Sequence, residues 1–547
     1  MLHRPRSLPP SIRLLRSLLL AGCVLLAGGC QAADPAAQRR APSPPPPVAP
    51  SGDPALPAPQ LHLPVPSPPA LQAADPVLWV ALAARLGPAE GPVGGATGAE
   101  PLRLVAASGP LTLLDGAGQR WSGPSLALRW RWQPLPQPLR VRRQVLGPFA
   151  SYESAEAVAR RWGAEGVATQ IARPAEWEVW AAAEAPPLAG FSARRLEWSV
   201  ARRLVLELPR PGGALVLRGP IRLQAAGGLR WKGGVFAGPF RLQEDAHGGW
   251  TLLEEVALER YLEGVVPHEI GAGAPPAAQA AQAVLARTWA VRNLHRYGVD
   301  GYHLCADTQC QVYSDPSLVG AALRRAIAAS RGQVLSAAGE PIHAVYHASN
   351  GGVAAGLEEA WDGGAVPYLQ PFSDGDGAFR ARFPLPLNEA RLAALLRSWQ
   401  GVYGADHPRF RWQRRLTADR VAQALAARGQ TVGVPRSVRA LERGPSGRVL
   451  ALEIGGTSGS LVLRRDAIRR TLRDLPSTLF LLSPAGPGAW AVDGGGFGHG
   501  AGLSQAGAID LAQRGWSSQK ILEHYYPGAQ LRPLGAGTAT PTPGRAP

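Results

Sequence analysis

Lysine is nearly absent from this sequence: of 57 basic residues only Lys232 and Lys520 are lysines, and the rest are arginines scattered along the chain. No single basic helix gathers them and no zinc-finger, homeodomain or RNP pattern accompanies them, so nucleic acid is not the expected partner despite a net charge of +17. That charge would suit any polyanion, anionic lipid and acidic wall polymer included, and its scatter reads first as a basic surface. Cysteine is also scarce, four in 547 residues, so the domains must rest on apolar cores rather than on disulfide staples. After the N-terminal segment no run of about 18 apolar residues occurs, and nothing later reads as membrane-spanning. No fixed-period repeat marks a solenoid. The glycine-rich C-terminal motif lacks the Gly-Lys-Ser/Thr ending of a phosphate loop, and Gly502-Leu503-Ser504-Gln505-Ala506-Gly507 does not have the spacing of a serine-hydrolase elbow. Both absences argue against nucleotide binding and serine hydrolysis.

What is present is a globular composition, 46% hydrophobic with 16 tryptophans, on a chain long enough for two or three domains. Arginines at positions 4, 6, 13 and 16 precede an apolar run at 18–29 that ends at Cys30, the layout of an export signal. Lipidation is expected at Cys30. Cys23, in Leu20-Ala21-Gly22-Cys23, has the better local pattern but the shorter apolar core, and a plain signal cleaved near Ala32 or Ala33 is the remaining alternative. One acyl chain anchors only marginally by itself. The expected location is therefore outside the cytoplasm, in the periplasm or cell envelope, with a lipid anchor in the membrane. Residues 31–75 form a linker whose prolines favour extended polyproline backbone and no core.

Short apolar runs at 77–132, separated by DGAG and SGPS turns, predict a β-rich segment over 76–135. Residues 138–182 change grammar: VRRQVLGPF is a strand, SYESAEAVARRWGAEG a helix capped by Ser151 or Ser154 and stopped by Gly163 or Gly166, and VATQIAR a strand. This order resembles half of a SPOR domain, a small module that binds peptidoglycan strands stripped of their peptides. An ordinary β-α-β insertion explains it equally, and no second helix completes the module. Strands resume at 190–258, and residues 380–485 add helices and strands that read as one wall of a cleft without chemistry of its own. The fold class expected is α+β and multidomain, with a mixed core over 190–532 and a disordered tail at 533–547.

The chain turns on residues 259–298, where a carboxylate stands in VVPHEIGAG before a helix opened by Pro275 and Pro276, expected over 275–297 with Gly298 as its cap. Val265, Val266, Pro267 and Ile270 surround Glu269 with apolar groups, which disfavour the ionised form and raise a carboxyl pKa, whereas a nearby helix N-terminus pulls it down. By itself such a residue is more often structural. YLEGVVPHEI with QAAQAVLARTWAV resembles the signature of the stage II sporulation protein D (SpoIID) family, also called the LytB or amidase-enhancer family. CADTQCQVYSD, VYHASNGGVAAGLEEAWDGGAVPYL and GGGFGHGAGLSQAGAIDLAQRGWSSQKILEHYYPG resemble the same family in the same order.

The resemblance implies a lytic transglycosylase that cuts between N-acetylmuramic acid and N-acetylglucosamine in peptidoglycan glycan strands, leaving 1,6-anhydro ends. Glu269 is then the catalytic residue, acid first and base afterwards. The alternative implied is a non-catalytic, peptidoglycan-binding enhancer of a cell-wall amidase. Should a second carboxylate be needed, Glu358, Glu359, Asp374 and Asp376 are candidates. Arg287, His347, Ser349, His499, Ser504 and Gln505 are carried to the substrate-binding site, although Ser504 can equally cap the helix ending near Gly515 and His499 can be a packing histidine. Trp361 and Tyr368 are either sugar platforms or core aromatics. No cofactor is required. Cys305 and Cys310 read first as a disulfide, and a structural zinc on His303, Cys305 and Cys310 is the rival, short of a fourth protein ligand.

Overall fold

Alternating apolar and polar residues in LRLVA and IRLQA call for strands with one buried face, and both form: Leu102–Ala106 and Ile221–Ala225 bury every second side chain. They lie in two different sheets of the computed structural model, which describes residues 59–71, 75–88 and 100–535. The export-signal region with Cys23 and Cys30, most of the proline-rich linker and residues 536–547 lie outside the described residues. The first sheet has seven strands in the order Leu304–Cys305, Val77–Leu86, Trp250–Ala257, Phe240–Glu244, Ile221–Ala225, Leu111–Leu114, Arg120–Gly123. The second is built around Ser125–Phe149, which pairs with Leu102–Ala106, Trp177–Ala181 and Arg194–Arg210. Val80, Leu113, Leu223 and Leu252 of the first sheet share one core with Leu104, Leu128 and Leu206 of the second. The segments before and after residues 138–182 thus fold as one β body.

The inserted piece grows directly out of that body, because Ser125–Phe149 is a single strand of 25 residues serving both. Ser151 caps the helix Tyr152–Ala164, accepting a hydrogen bond from Ser154 N, and Thr169–Ala172 follows as a strand. A further strand, Trp177–Ala181, is buried at every position. Trp177 and Val179 pack with the helix, while Trp180 faces the opposite way against Arg143, whose guanidinium carbon lies 3.4 Å from the ring centroid. That strand therefore offers no open face to a glycan. The proline-rich stretch is not a tether throughout: Gln60 bridges Val141, Leu63 N donates to Ala246 O, and Arg143 donates to Leu61 O. Extended polyproline backbone has no internal hydrogen bonds, so its free groups are available to a neighbouring strand.

From the first sheet the chain enters a helix, Leu258–Val266, then a single π turn, Pro267–Gly271, then the helix Pro276–Arg292. The last helix is shorter than expected. It ends at Arg292 because Asn293 caps it, its side-chain amide donating to Trp289 O, and Gly298 instead opens a separate 3-10 turn. Nor does it bury one stripe alone: Gln279, Gln282, Ala283 and Ala290 are buried as well as Ala281, Val284 and Leu285, so it runs through the middle of the core. Beyond it, two three-stranded sheets and several short helices build a lobe with its own cores, around Val421, Leu452 and Phe480 and around Phe379, Leu392 and Phe410. The chain then returns. Tyr346–His347 pairs in parallel with Leu503–Ser504, tying the lobe's exit to the strand that leads into it. Among the described residues no helix is long and apolar enough to cross a membrane.

Candidate functional site

Glu269 sits in the π turn, where the backbone makes one residue more per turn than an α-helix allows. Pro267 at the junction has no N–H to donate, and Gly271 closes the turn at a φ of 92°, which a side chain would resist. Such turns within helices are recurrent at functional positions. The turn leaves Ile270 buried and holds Glu269 half-buried at the edge of a cavity of about 620 Å³. Its Oε1 accepts a hydrogen bond of 2.9 Å from Val312 N. Burial pushes the carboxyl above the usual carboxylate range; the Val312 N–H, hydrogen bonds from the Tyr346 and Gln505 side chains and the His268 charge pull the other way without cancelling it. No ion pair neutralises it among the described residues. A carboxyl so placed can carry a proton to a bound group and later take one back.

Val312 is held by the loop that contains the cysteines. Cys305 and Cys310 are joined in a disulfide with their Cα atoms 5.7 Å apart, and Gln311 ties the following residue to the long helix through Ala286 O at 3.1 Å. The zinc alternative does not fit these residues. The two sulfurs are bonded to each other, His303 Nδ1 accepts from Trp79 N at 2.9 Å, and the His303 ring also bonds the Pro69 backbone. Neither a thiolate nor a free ring nitrogen is left for a metal.

His347, His499 and Gln505 line the cavity with Glu269. The Gln505 amide donates to Gln282 Oε1 at 3.3 Å, which orients it. His499 donates from Nε2 to Tyr346 O at 2.9 Å and accepts from Ala501 N at Nδ1, so it is neutral, and burial holds its pKa down at about 3. His347 lies edge-on to it, centroids 5.1 Å apart, and is likewise neutral: Nδ1 donates to Ala501 O, and Nε2 is buried with no protein partner. That lone pair can accept a hydrogen bond from a bound hydroxyl. The two rings meet because Gly498, at a φ of 117°, lets the backbone pass His347; a Cβ there would stand 2.6 Å from the histidine's own Cβ.

Other expected site residues have structural work instead. Arg287 is fully buried and forms a bidentate pair with Glu259, 2.7 Å on both arms, besides donating to Gln333 O. It holds the two helices and a strand together and cannot reach substrate. Ser504 caps the helix Gln505–Gln513, accepting from Gly507 N, and Ser349 is buried in a bridge with Phe497. Glu359 accepts from Gly356 N and Ser446, Asp374 is buried with Asn350, His524 and Tyr525, and Asp376 caps Gly377–Arg382. Neither these carboxylates nor Glu358 lines the cavity, and the carboxylate that shares it with Glu269 is Asp474, tied to Arg420 at 2.5 Å. Trp361 packs behind His499 and the Tyr368 hydroxyl accepts from His343 N, so both are core aromatics.

The sequence reading missed the opposite wall. Arg409, Arg414, Arg469, Arg470 and Arg473 face the cavity from the lobe that had seemed without chemistry, and Phe497 stands at the rim. The arginines are too far apart in sequence to stand out as a cluster. Phe497 could have been found in GGGFGHG, where an aromatic between glycines has no helix or strand to pack into.

Comparison with known proteins divides the chain along this cavity. Residues 246–336 match the family described as Stage II sporulation protein (SpoIID), and residues 355–502 match a domain of unknown function, DUF8618. The chain is 27% identical over 294 residues to Stage II sporulation protein D of Bacillus amyloliquefaciens, covering 51% of this chain and 75% of that protein. It is 28% identical over 292 residues to a protein named Amidase enhancer of Bacillus subtilis (strain 168), covering 49% of this chain and 40% of that protein. Glu269 belongs to the first matched region and the arginine wall to the second.

Proposed function

We propose that this chain, whose residues 246–336 match the SpoIID family, uses Glu269 to cut peptidoglycan glycan strands as a lytic transglycosylase. The observation that carries this is a half-buried carboxyl with a raised pKa on an open cavity, where the other lining carboxylate, Asp474, is paired with Arg420. In the first step Glu269 gives its proton to the glycosidic oxygen as the bond from the muramoyl C1 breaks. The Val312 N–H then supports the carboxylate that remains. In the second step that carboxylate takes the proton from the muramoyl 6-hydroxyl while its oxygen bonds to C1. The products are a 1,6-anhydro end and a free 4-hydroxyl; the carboxyl is protonated again and no water is consumed. His347 Nε2 is available to accept a hydrogen bond from a sugar hydroxyl during both steps.

The test is a digest of purified glycan strands read by mass spectrometry. Wild-type protein should yield ends lighter by one water than hydrolysed ones, and Glu269→Gln should lower their formation by about 10²-fold or more. Hydrolysed ends, or equal product from the variant, would sink the proposal. The similarity to a protein named Amidase enhancer favours a second reading, in which the cavity holds a strand without cutting it and assists a cell-wall amidase. No anhydro product from either protein, with amidase stimulated equally by both, would establish that reading instead.

A further inference from the structure

We propose that the arginine wall of the cavity binds carboxylates carried by the glycan strand close to the bond to be cut, so that anionic strands are selected over neutral ones. This deepens the glycan-cutting reading and rests on it. Five guanidiniums, from Arg409, Arg414, Arg469, Arg470 and Arg473, line the cavity with two carboxyl groups, Glu269 and Asp474. Asp474 is already paired with Arg420, and burial favours the neutral form of Glu269. No ion pair is formed by any of the five among the described residues, although arginine is paired elsewhere on the surface, with Arg131 on Glu207, Arg439 on Glu453 and Arg428 on Glu176. Like charges brought together repel: burial first, and then the neighbouring Arg470, lowers Arg469 to about 10. A ligand with several negative groups would relieve that repulsion.

The placement suits a glycan. Arg469 and Arg470 lie in the last turn of the helix Asp466–Thr471 and Arg473 follows it, so one short segment contributes three arginines to the lining of the cavity that Glu269 edges. The favourable interaction of basic groups with a helix C-terminus accounts for one or two of them, not for Arg409 and Arg414 on separate elements. Arg409 lies over the Phe497 ring, 4.2 Å from its centroid, which puts a cation beside an aromatic surface at the rim. Guanidinium forks match carboxylates bidentately. Two sources on peptidoglycan carry that group: the lactyl carboxylate of a muramoyl residue freed of its peptide, and the carboxylates of a peptide stem still attached.

The experiment uses the full chain with Glu269→Gln, so that nothing is cut, and measures binding to four probes. These are strands with free lactyl carboxylates, the same strands neutralised by coupling to methylamine, strands bearing peptide stems, and a phosphodiester wall polymer. Adding Arg470→Gln with Arg473→Gln should weaken binding of carboxylate-bearing strands by about tenfold while leaving the neutralised strands unchanged. Arg409→Gln with Arg414→Gln, both at exposed positions outside the core, gives a second pair that should act in the same direction. The lactyl and stem arms identify which carboxylate is read, since the group that matters loses its binding when the arginines go. Folded variants that hold carboxylate strands as tightly as the parent would overturn the proposal. So would neutralised strands binding as well as charged ones, or the phosphodiester polymer binding more tightly than either. Because no cutting is measured, a failure here is separate from a failure of the wild type to form anhydro ends.

Discussion

Arg287 and Glu259 form a fully desolvated ion pair that joins the helix Pro276–Arg292 to the helix Leu258–Val266, one element before the π turn. Removing one partner leaves the other charge buried and unpaired, which costs about 3–5 kcal/mol, whereas removing both can be far milder. Arg287→Met should therefore lower the urea midpoint strongly, and Arg287→Met with Glu259→Met should recover part of the loss. A single variant that stays as stable as the parent but no longer holds glycan would restore Arg287 to the substrate site and refute the structural role. Resemblance to the family marked the residue without indicating its place, because a motif records that a residue matters and not what it touches. Glu269 is legible for a physical reason: its neighbours Val265, Val266 and Ile270 are apolar, and all three are buried in the structure. The arginine wall is not legible, because Arg409 and Arg473 are brought together only by the tertiary fold.

At the scale of elements, caps and turn residues carried most of the information. Ser151 and Ser504 cap helices, and the strands with period-2 burial form where alternation places them. What local pattern does not encode is the continuity of helix, π turn and helix around Glu269, since the turn is stabilised by the Val312 N–H from a distant loop. That loop is closed by Cys305 and Cys310, five residues apart. Chain-entropy arguments assign a loop of that length about 2 kcal/mol. Cys305→Ser with Cys310→Ser should lower the unfolding free energy by about that much, measured by urea titration, and should weaken the proposed glycan cutting more than the stability loss predicts, since Val312 is then less firmly held. Unchanged stability would show that the loop is fixed by Gln311 and the sheet alone.

Across the whole molecule, parts far apart in sequence are fastened together by a few polar contacts. Ser154 Oγ donates to Asp466 at 3.3 Å, Arg428 pairs with Glu176 at 2.8 Å and Arg296 pairs with Glu153, so the inserted piece leans on both the core and the arginine lobe. No local pattern could have shown this, because each contact joins segments more than a hundred residues apart. Burial of several histidines gives the assembly an acid sensitivity whose sign can be worked out. His303 is lowered to about 4, and His343 and His499 to about 3, chiefly by desolvation. Unfolded histidines titrate near 6.5, so between that pH and about 4 the unfolded chain binds more protons than the native one, and stability falls as the pH falls. Asp466, raised to about 6 by burial, works the other way, as do Glu244, Glu254, Glu269 and Glu359, also raised by burial, whereas buried His347 and the lowered carboxyls of Glu156 and Asp300 add to the histidines' side. Each histidine contributes on the order of 1 kcal/mol by pH 5 after discounting for solvent screening. Thermal unfolding should therefore move to lower temperature from pH 7.5 to 5. In His303→Gln, whatever its stability at pH 7.5, that decline should be shallower, because one of the groups that must stay neutral in the native state has been removed. An equally steep decline in the variant would mean that carboxylates, not buried histidines, govern acid unfolding.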